Sequence, residues 1–315
     1  MNISTSAPAG SPSAIEAPPR RRAGRLKRHE RRAGLLLVAP TLIAFIAVIL
    51  FPFLESLRLS LYKFTIDMEQ PAFVGLANFR RLLADGDTSV VWLNTAIFVV
   101  ATTALTFVLG LAWALMLNQR FKGRGFVRAA SLLPWVLPTT VTAFLAAWIF
   151  NGQYGVLNAV LLQLGIIREP IIWLAESGGA MAAVIVTKAW LSVPLFMAFF
   201  LAGLQGVSQD QVDAARVDGC ENTGVLRYVV LPHLAPTMII VTILGAMGNL
   251  QAFDVIYALT QGGPIKSTTM LSVEVYKQAF QNWDMGTACA VGVLWFITIA
   301  IPTVFYLRIL FKREA

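Results

Sequence analysis

Long stretches without charge alternate with short charged segments along this chain. A membrane-spanning helix needs about 20 mostly apolar residues, because the hydrocarbon layer is about 30 Å thick and each helical residue rises about 1.5 Å. Six stretches approach or exceed that length. They are Ala33–Leu54, a segment within Thr88–Gln119, Leu132–Phe150 inside the longer run Ala129–Ile167, Ala180–Leu204, His233–Phe253 and Met285–Leu307. Lys188 is the one charge within them. The pattern predicts an all-α polytopic membrane bundle of six transmembrane helices. The short alternating segments of a membrane β-barrel are absent from the sequence.

Composition agrees. Of 315 residues, 57% are hydrophobic and only 13% charged, whereas soluble domains carry about 25% charged residues. A water-soluble globule is excluded. The distribution of the 25 Lys and Arg then sets the orientation. One side takes the basic run from Arg20 to Arg32, the loop with Arg120, Lys122, Arg124 and Arg128, then Arg216, Arg227, Arg308, Lys312 and Arg313. The other has Arg58, Lys63, Arg80, Arg81, Arg168, Lys266 and Lys277. Cytoplasmic loops carry the excess of Lys and Arg, so both termini are expected in the cytoplasm. Residues 1–32 are expected to be a disordered basic tail, 33–310 the membrane domain and 311–315 a C-terminal tail. The basic cluster precedes a 22-residue apolar run, longer than the ~7–15 residues of a signal peptide core, so it reads as an uncleaved anchor. Contact of that cluster with membrane lipid is a second use for it, and nucleic-acid binding is not expected. Cys220, Cys289, His29 and His233 show neither disulfide nor metal-ligand spacing, so no metal site is expected.

The cytoplasmic segment 206–236 carries the most specific pattern. Asp213-Ala214-Ala215 reads as a short helix, Gly219 allows a turn with positive φ, Val225–Val230 reads as a second helix, and Pro232 and Pro236 mark the start of the fifth span. Asp213-Ala214-Ala215 is followed after three residues by Gly219, after nine more by Val229, and then by Leu231-Pro232. This spacing resembles the EAA motif of permease subunits in binding-protein-dependent ABC importers, with Asp for Glu and Val for Ile. The resemblance extends over most of the chain. Leu133-Pro134 through Pro138, Gly155 with Asn158, Trp173-Leu174 and Trp190 with Pro194 fit the family pattern. The run Phe253-Asp254 through Gly262-Gly263-Pro264 is similar to the maltose-type, carbohydrate-importing branch, and to the first of its two permease subunits.

The resemblance implies a type I ABC importer permease fold in a bacterial plasma membrane. It implies that the 206–236 segment is a coupling loop in which Asp213, Ala214, Ala215, Asp218 and Gly219 meet a cytoplasmic ATPase. It also implies a second, non-identical permease, two copies of the ATPase and an extracytoplasmic solute-binding protein as partners. This chain is expected to bind no cofactor, since ATP and Mg belong to the ATPase. The nearest phosphate-loop look-alike, Gly262-Gly263-Pro264-Ile265-Lys266-Ser267, lacks the required Gly before Lys and loses a donor at Pro264.

Solute residues follow from position and from the resemblance together. A lysine deep in a span costs about 3 kcal/mol on insertion scales, so it is a functional candidate. Ser192 and Leu195 lie at i+4 and i+7 from Lys188 and share its helical face. The maltose-type resemblance nominates Lys188, Leu191, Ser192 and Leu195 with Asn249, Gln251 and Ala252. Lys188 suggests an anionic group on the solute, with pairing to Asp254 as the competing role. Helical spacing also puts Gln251 and Asp254 on one face. An ion-driven carrier is the alternative function. It needs a buried carboxylate relay, and Asp254 at a span edge is the nearest acid. A membrane-bound enzyme would need a catalytic constellation that the sequence does not offer.

Overall fold

A computed structural model describes residues 36–314. The expected disordered tail at 1–32 lies outside the described residues. The chain divides into two units, one ending at Glu55 and the other starting at Ser56. In chain order, the helices are α1 (Leu36–Leu59), α2 (Ala77–Ala84) and α3 (Gly86–Asn118). There follow α4 (Arg124–Val136) and α5 (Thr139–Ile149), α6 (Val156–Gln163), α7 (Ser177–Gln205) and α8 (Gln209–Val217). The last four are α9 (Asn222–Leu250), α10 (Asp254–Thr260), α11 (Leu271–Tyr276) and α12 (Met285–Glu314). Two short strands, β1 (Tyr62–Lys63) and β2 (Ala72–Phe73), pair antiparallel with Tyr62 opposite Phe73.

Among the described residues, α1, α3, α7, α9 and the Met285–Arg308 part of α12 are long and apolar enough to cross a membrane. These match five of the six expected spans. The last helix continues to Glu314, through most of the expected C-terminal tail. The third expected span differs. Instead of one helix over Leu132–Phe150, α4 and α5 meet at 93°. The residue before a proline is pushed out of the helical region, and Leu137, before Pro138, is extended at φ −68° and ψ 139°. Hydropathy sees one apolar run here, whereas the backbone must turn.

The fifth span also starts earlier than expected. Pro232 and Pro236 lie inside α9 rather than at its start. A proline lacks an N–H and crowds the preceding turn. A wider π turn over Leu226–Val230 ends just before Pro232, and the Leu231 N–H reaches the Leu226 carbonyl across it. The same arrangement occurs in α1, where a π turn at Ile46–Leu50 precedes Pro52. Shifting the hydrogen-bond register by one residue makes room for the ring.

The α3–α7 pair carries much of the packing. Phe196, Met197, Phe200, Leu201 and Leu204 on α7 bury themselves against Ala114 and Leu117 of α3 and Leu234 and Val241 of α9. In lipid, helices associate through close packing, so small residues line their contacts. A Cβ at Gly110 would lie 2.7 Å from the Phe196 Cβ and 3.2 Å from the Met197 backbone nitrogen. Toward the expected outer side, a second cluster joins Phe98 of α3, Ala143 and Ala146 of α5, Ala183 and Val184 of α7, and Val255, Ile256 and Leu259 of α10.

Polar side chains hold the loops on that side. Asn158 donates to the Gly152 and Ile171 carbonyls and accepts from the Trp173 indole at 2.9 Å. Asn94 donates to the Lys266 and Thr269 carbonyls, and Thr95 accepts the Leu271 N–H. Lys266, the lysine of the phosphate-loop look-alike, pairs with Asp87. That hydrogen bond is the main cause holding its pKa above the ordinary lysine value. The look-alike is thus a turn tied to α3.

Candidate functional site

The segment between α7 and α9 forms a helical knob. Helix α8 carries Asp213, Ala214 and Ala215. It ends in a 6→1 and 5→2 hydrogen-bond pair, with the Cys220 N–H on the Ala215 carbonyl at 2.9 Å and the Gly219 N–H on the Arg216 carbonyl at 3.1 Å. This is a Schellman cap, which needs a left-handed residue at its turn. Gly219 supplies it at φ +85°, and a Cβ there would meet nothing within 4 Å. The glycine therefore answers a backbone requirement and leaves its outer face open. Asp213, Ala214, Asp218 and Gly219 are exposed, and Ala215 is half-buried. The Asp213 carboxylate accepts from the Gln209 amide at 3.0 Å and lies 3.9 Å from Arg216. Gln211, Ala214, Ala215 and Asp218 line a hollow of about 510 Å³ with Tyr228, Val229 and His233 of α9. Residues of two helices thus meet at one surface, Val229 of the motif among them.

The solute candidates are less uniform. Lys188 lies about 16 Å along α7 from Ser177, at about 1.5 Å per residue. It is half-buried, as are Ser192 and Leu195, and Leu191 is buried. Lys188 has no ion pair within 4 Å among the described residues, so the competing pairing with Asp254 is not formed at that distance. Asn249 is buried and donates to the Thr103 hydroxyl at 3.0 Å. Ala252 is buried against the outer cluster, and its carbonyl accepts from Ser272 at 2.6 Å. Gln251 is exposed. The shared helical face expected for Gln251 and Asp254 does not exist, because α9 ends at Leu250 and α10 starts at Asp254. The Trp295 indole takes the Leu250 carbonyl and Ser272 takes that of Ala252, so these two carbonyls are satisfied outside a helix.

An apolar hollow of about 530 Å³ lies between α3, α4 and α7, lined by Trp113, Phe126, Trp190 and Met197 among others. None of the solute candidates lines it. On α7 its residues Val186, Ala189, Trp190 and Val193 fall on the side away from Lys188 at helical spacing.

Sequence reasoning did not single out an aromatic cluster beside Asp254. Phe253 stacks on Tyr257 at 5.2 Å, Tyr257 lies 4.7 Å from Tyr276, and Tyr276 lies 5.1 Å from Phe280. The signal was available, since both pairs recur at i and i+4. The Tyr276 phenol is pushed above its usual value, chiefly by its hydrogen bond with Tyr257.

Residues 106–314 match the family model described as binding-protein-dependent transport system inner membrane component. The trehalose/maltose transport system permease protein MalF of Thermococcus litoralis is 33% identical over 92% of this chain and 98% of its own length. The sulfoquinovosyl glycerol transport system permease protein SmoG of Agrobacterium fabrum is 31% identical over 90% of this chain and 92% of its own. The crystal structure of a bacterial alginate ABC transporter, in complex with an alginate-bound periplasmic protein, contains a chain of the same fold. Its TM-score is 0.76 at 20% identity, over 90% of this chain and 96% of that one. With the family model covering about two thirds of its length and a relative of this identity along nearly all of it, the chain is a multi-pass membrane protein that belongs to the binding-protein-dependent transport system inner membrane component family.

Proposed function

We propose that this chain is a permease subunit of an ATP-driven ABC importer for a sugar or sugar derivative. The observation that carries the reading is the exposed helical knob closed by Gly219, where Ala214, Ala215 and Val229 of the motif line one hollow. In this reading the knob docks on a cytoplasmic ATPase, one of two copies, which binds ATP and Mg. A second permease completes the solute path, and an extracytoplasmic binding protein delivers the solute. Alternating access then moves the solute past the midspan polar residues. The sorting of basic residues supports cytoplasmic termini. The sugar class is supported by the trehalose/maltose and sulfoquinovosyl glycerol transport of the two relatives.

Lys188 favours a narrower second reading, in which the sugar carries an anionic group. No ion pair within 4 Å engages Lys188 among the described residues, which leaves it open to a carboxylate, phosphate or sulfonate. Thermal-shift binding to the cognate binding protein tests both. A sugar should raise its melting temperature, and an anionic sugar most of all. A response to amino acids alone would remove the sugar reading. With the solute in hand, Lys188→Gln should weaken the apparent affinity of uptake about tenfold, as expected for losing a charge-assisted contact. An unchanged affinity would remove the anionic reading and leave the sugar reading standing.

A further inference from the structure

We propose that the aromatic cluster formed by Phe253, Tyr257, Tyr276 and Phe280 is a docking platform for a pyranose ring at the outer mouth of the path. The inference rests on the sugar reading above and adds a subsite outside the midspan residues.

Two short helices build the platform. Phe253 and Tyr257 lie one turn apart at the start of α10, with their rings nearly parallel at 15°. Tyr276 ends α11, and Phe280 follows it on the π turn Lys277–Gln281. Tyr276 is within 5.2 Å of Phe253 and 4.7 Å of Tyr257, measured between ring centroids. Phe253 and Tyr257 pack one side against the outer apolar cluster. They and Tyr276 are half-buried, and Phe280 is 56% exposed.

The chemistry is mixed in the way a pyranose requires. A sugar ring has an apolar C–H face and a rim of hydroxyls. Aromatic faces carry negative quadrupole density that attracts such C–H edges, while phenols offer a polar handle. Here the Gln281 amide donates to the Tyr257 hydroxyl at 3.3 Å, fixing one phenol at the edge of the rings.

Position supplies the second argument. Phe253 directly follows the solute candidates Gln251 and Ala252 in the chain. The ring cluster therefore begins beside two of those candidates. A lipid-anchoring role for these aromatics would make no contact with sugar, and this difference is measurable.

The test is saturation-transfer-difference NMR on the complete transporter in nanodiscs, with methyl β-D-glucopyranoside as the probe. Its axial hydrogens form a flat C–H face. Wild type should transfer saturation to those hydrogens. Tyr276→Ala and Phe280→Ala should each reduce the transfer about fivefold, since aromatic contacts contribute roughly 1 kcal/mol, while Tyr276→Phe should retain it. Equal ATPase activity of the variants checks folding. Wild-type complex with ring-deuterated phenylalanine and tyrosine supplies the same readout without substitution, and its signal should fall as well. No transfer in wild type, or transfer unchanged by both alanine variants and by deuteration, would overturn the platform. If the binding protein meanwhile takes up a sugar, the sugar reading survives that failure. If it takes none, the sugar reading is what has failed.

Discussion

Gly219→Trp is expected to reduce solute uptake about 100-fold or more while the protein still inserts in the membrane. Gly219 occupies the left-handed turn of the cap that ends α8, at φ +85°. An L-residue there costs about 1–2 kcal/mol. The cap can bear that strain locally, because no atom lies within 4 Å of the added Cβ. The consequence arises outside this chain. An indole on the open face of the knob would stand between α8 and the ATPase, and a misfit of about 3 kcal/mol at a docking surface corresponds to about 100-fold. Gly219→Ala carries the strain without the bulk, so its effect should be far smaller. Uptake by both variants, with membrane amounts measured by immunoblot, separates the two causes. Normal uptake by Gly219→Trp would contradict a docking role for the knob.

The second large effect is expected at Gly110, where Gly110→Leu should lower stability by about 3 kcal/mol or more. The added Cβ would meet the Phe196 Cβ at 2.7 Å and the Met197 backbone nitrogen at 3.2 Å. Neither atom can move by a rotamer change, so α3 and α7 would have to separate. Gly245 makes a useful contrast. Its added Cβ would meet the far end of the Phe196 ring at 2.3 Å, a clash with side-chain atoms and not with backbone. Gly245→Ala should therefore cost less than Gly110→Leu. Thermal unfolding of the purified complex measures both, and a wild-type melting temperature for Gly110→Leu would contradict the close approach.

The five long helices were legible because hydropathy reports burial in lipid directly. The knob was legible because a glycine at the end of a short helix carries a definite backbone meaning, and Gly219 adopts the positive φ expected of it. The bend between α4 and α5 was not read from the apolar run, although Pro138 marks it, because hydropathy averages over a window and hides a single backbone turn. The start of α9 was missed for the opposite reason: Pro232 looked like a boundary, and a π turn absorbed it. The midspan residues were legible only as a list. Sequence spacing cannot reveal that Asn249 bonds to Thr103, that Ala252 is buried, or that the helix breaks before Asp254. Each of those depends on a partner distant in the chain.

The most direct test of the central claim is solute accumulation by the complete transporter in proteoliposomes, with ATP inside and no ion gradient. Loaded binding protein outside should drive accumulation that stops when ATP is withdrawn or when this subunit is omitted. Accumulation that ignores ATP and follows a proton or sodium gradient would contradict the account and favour an ion-driven carrier.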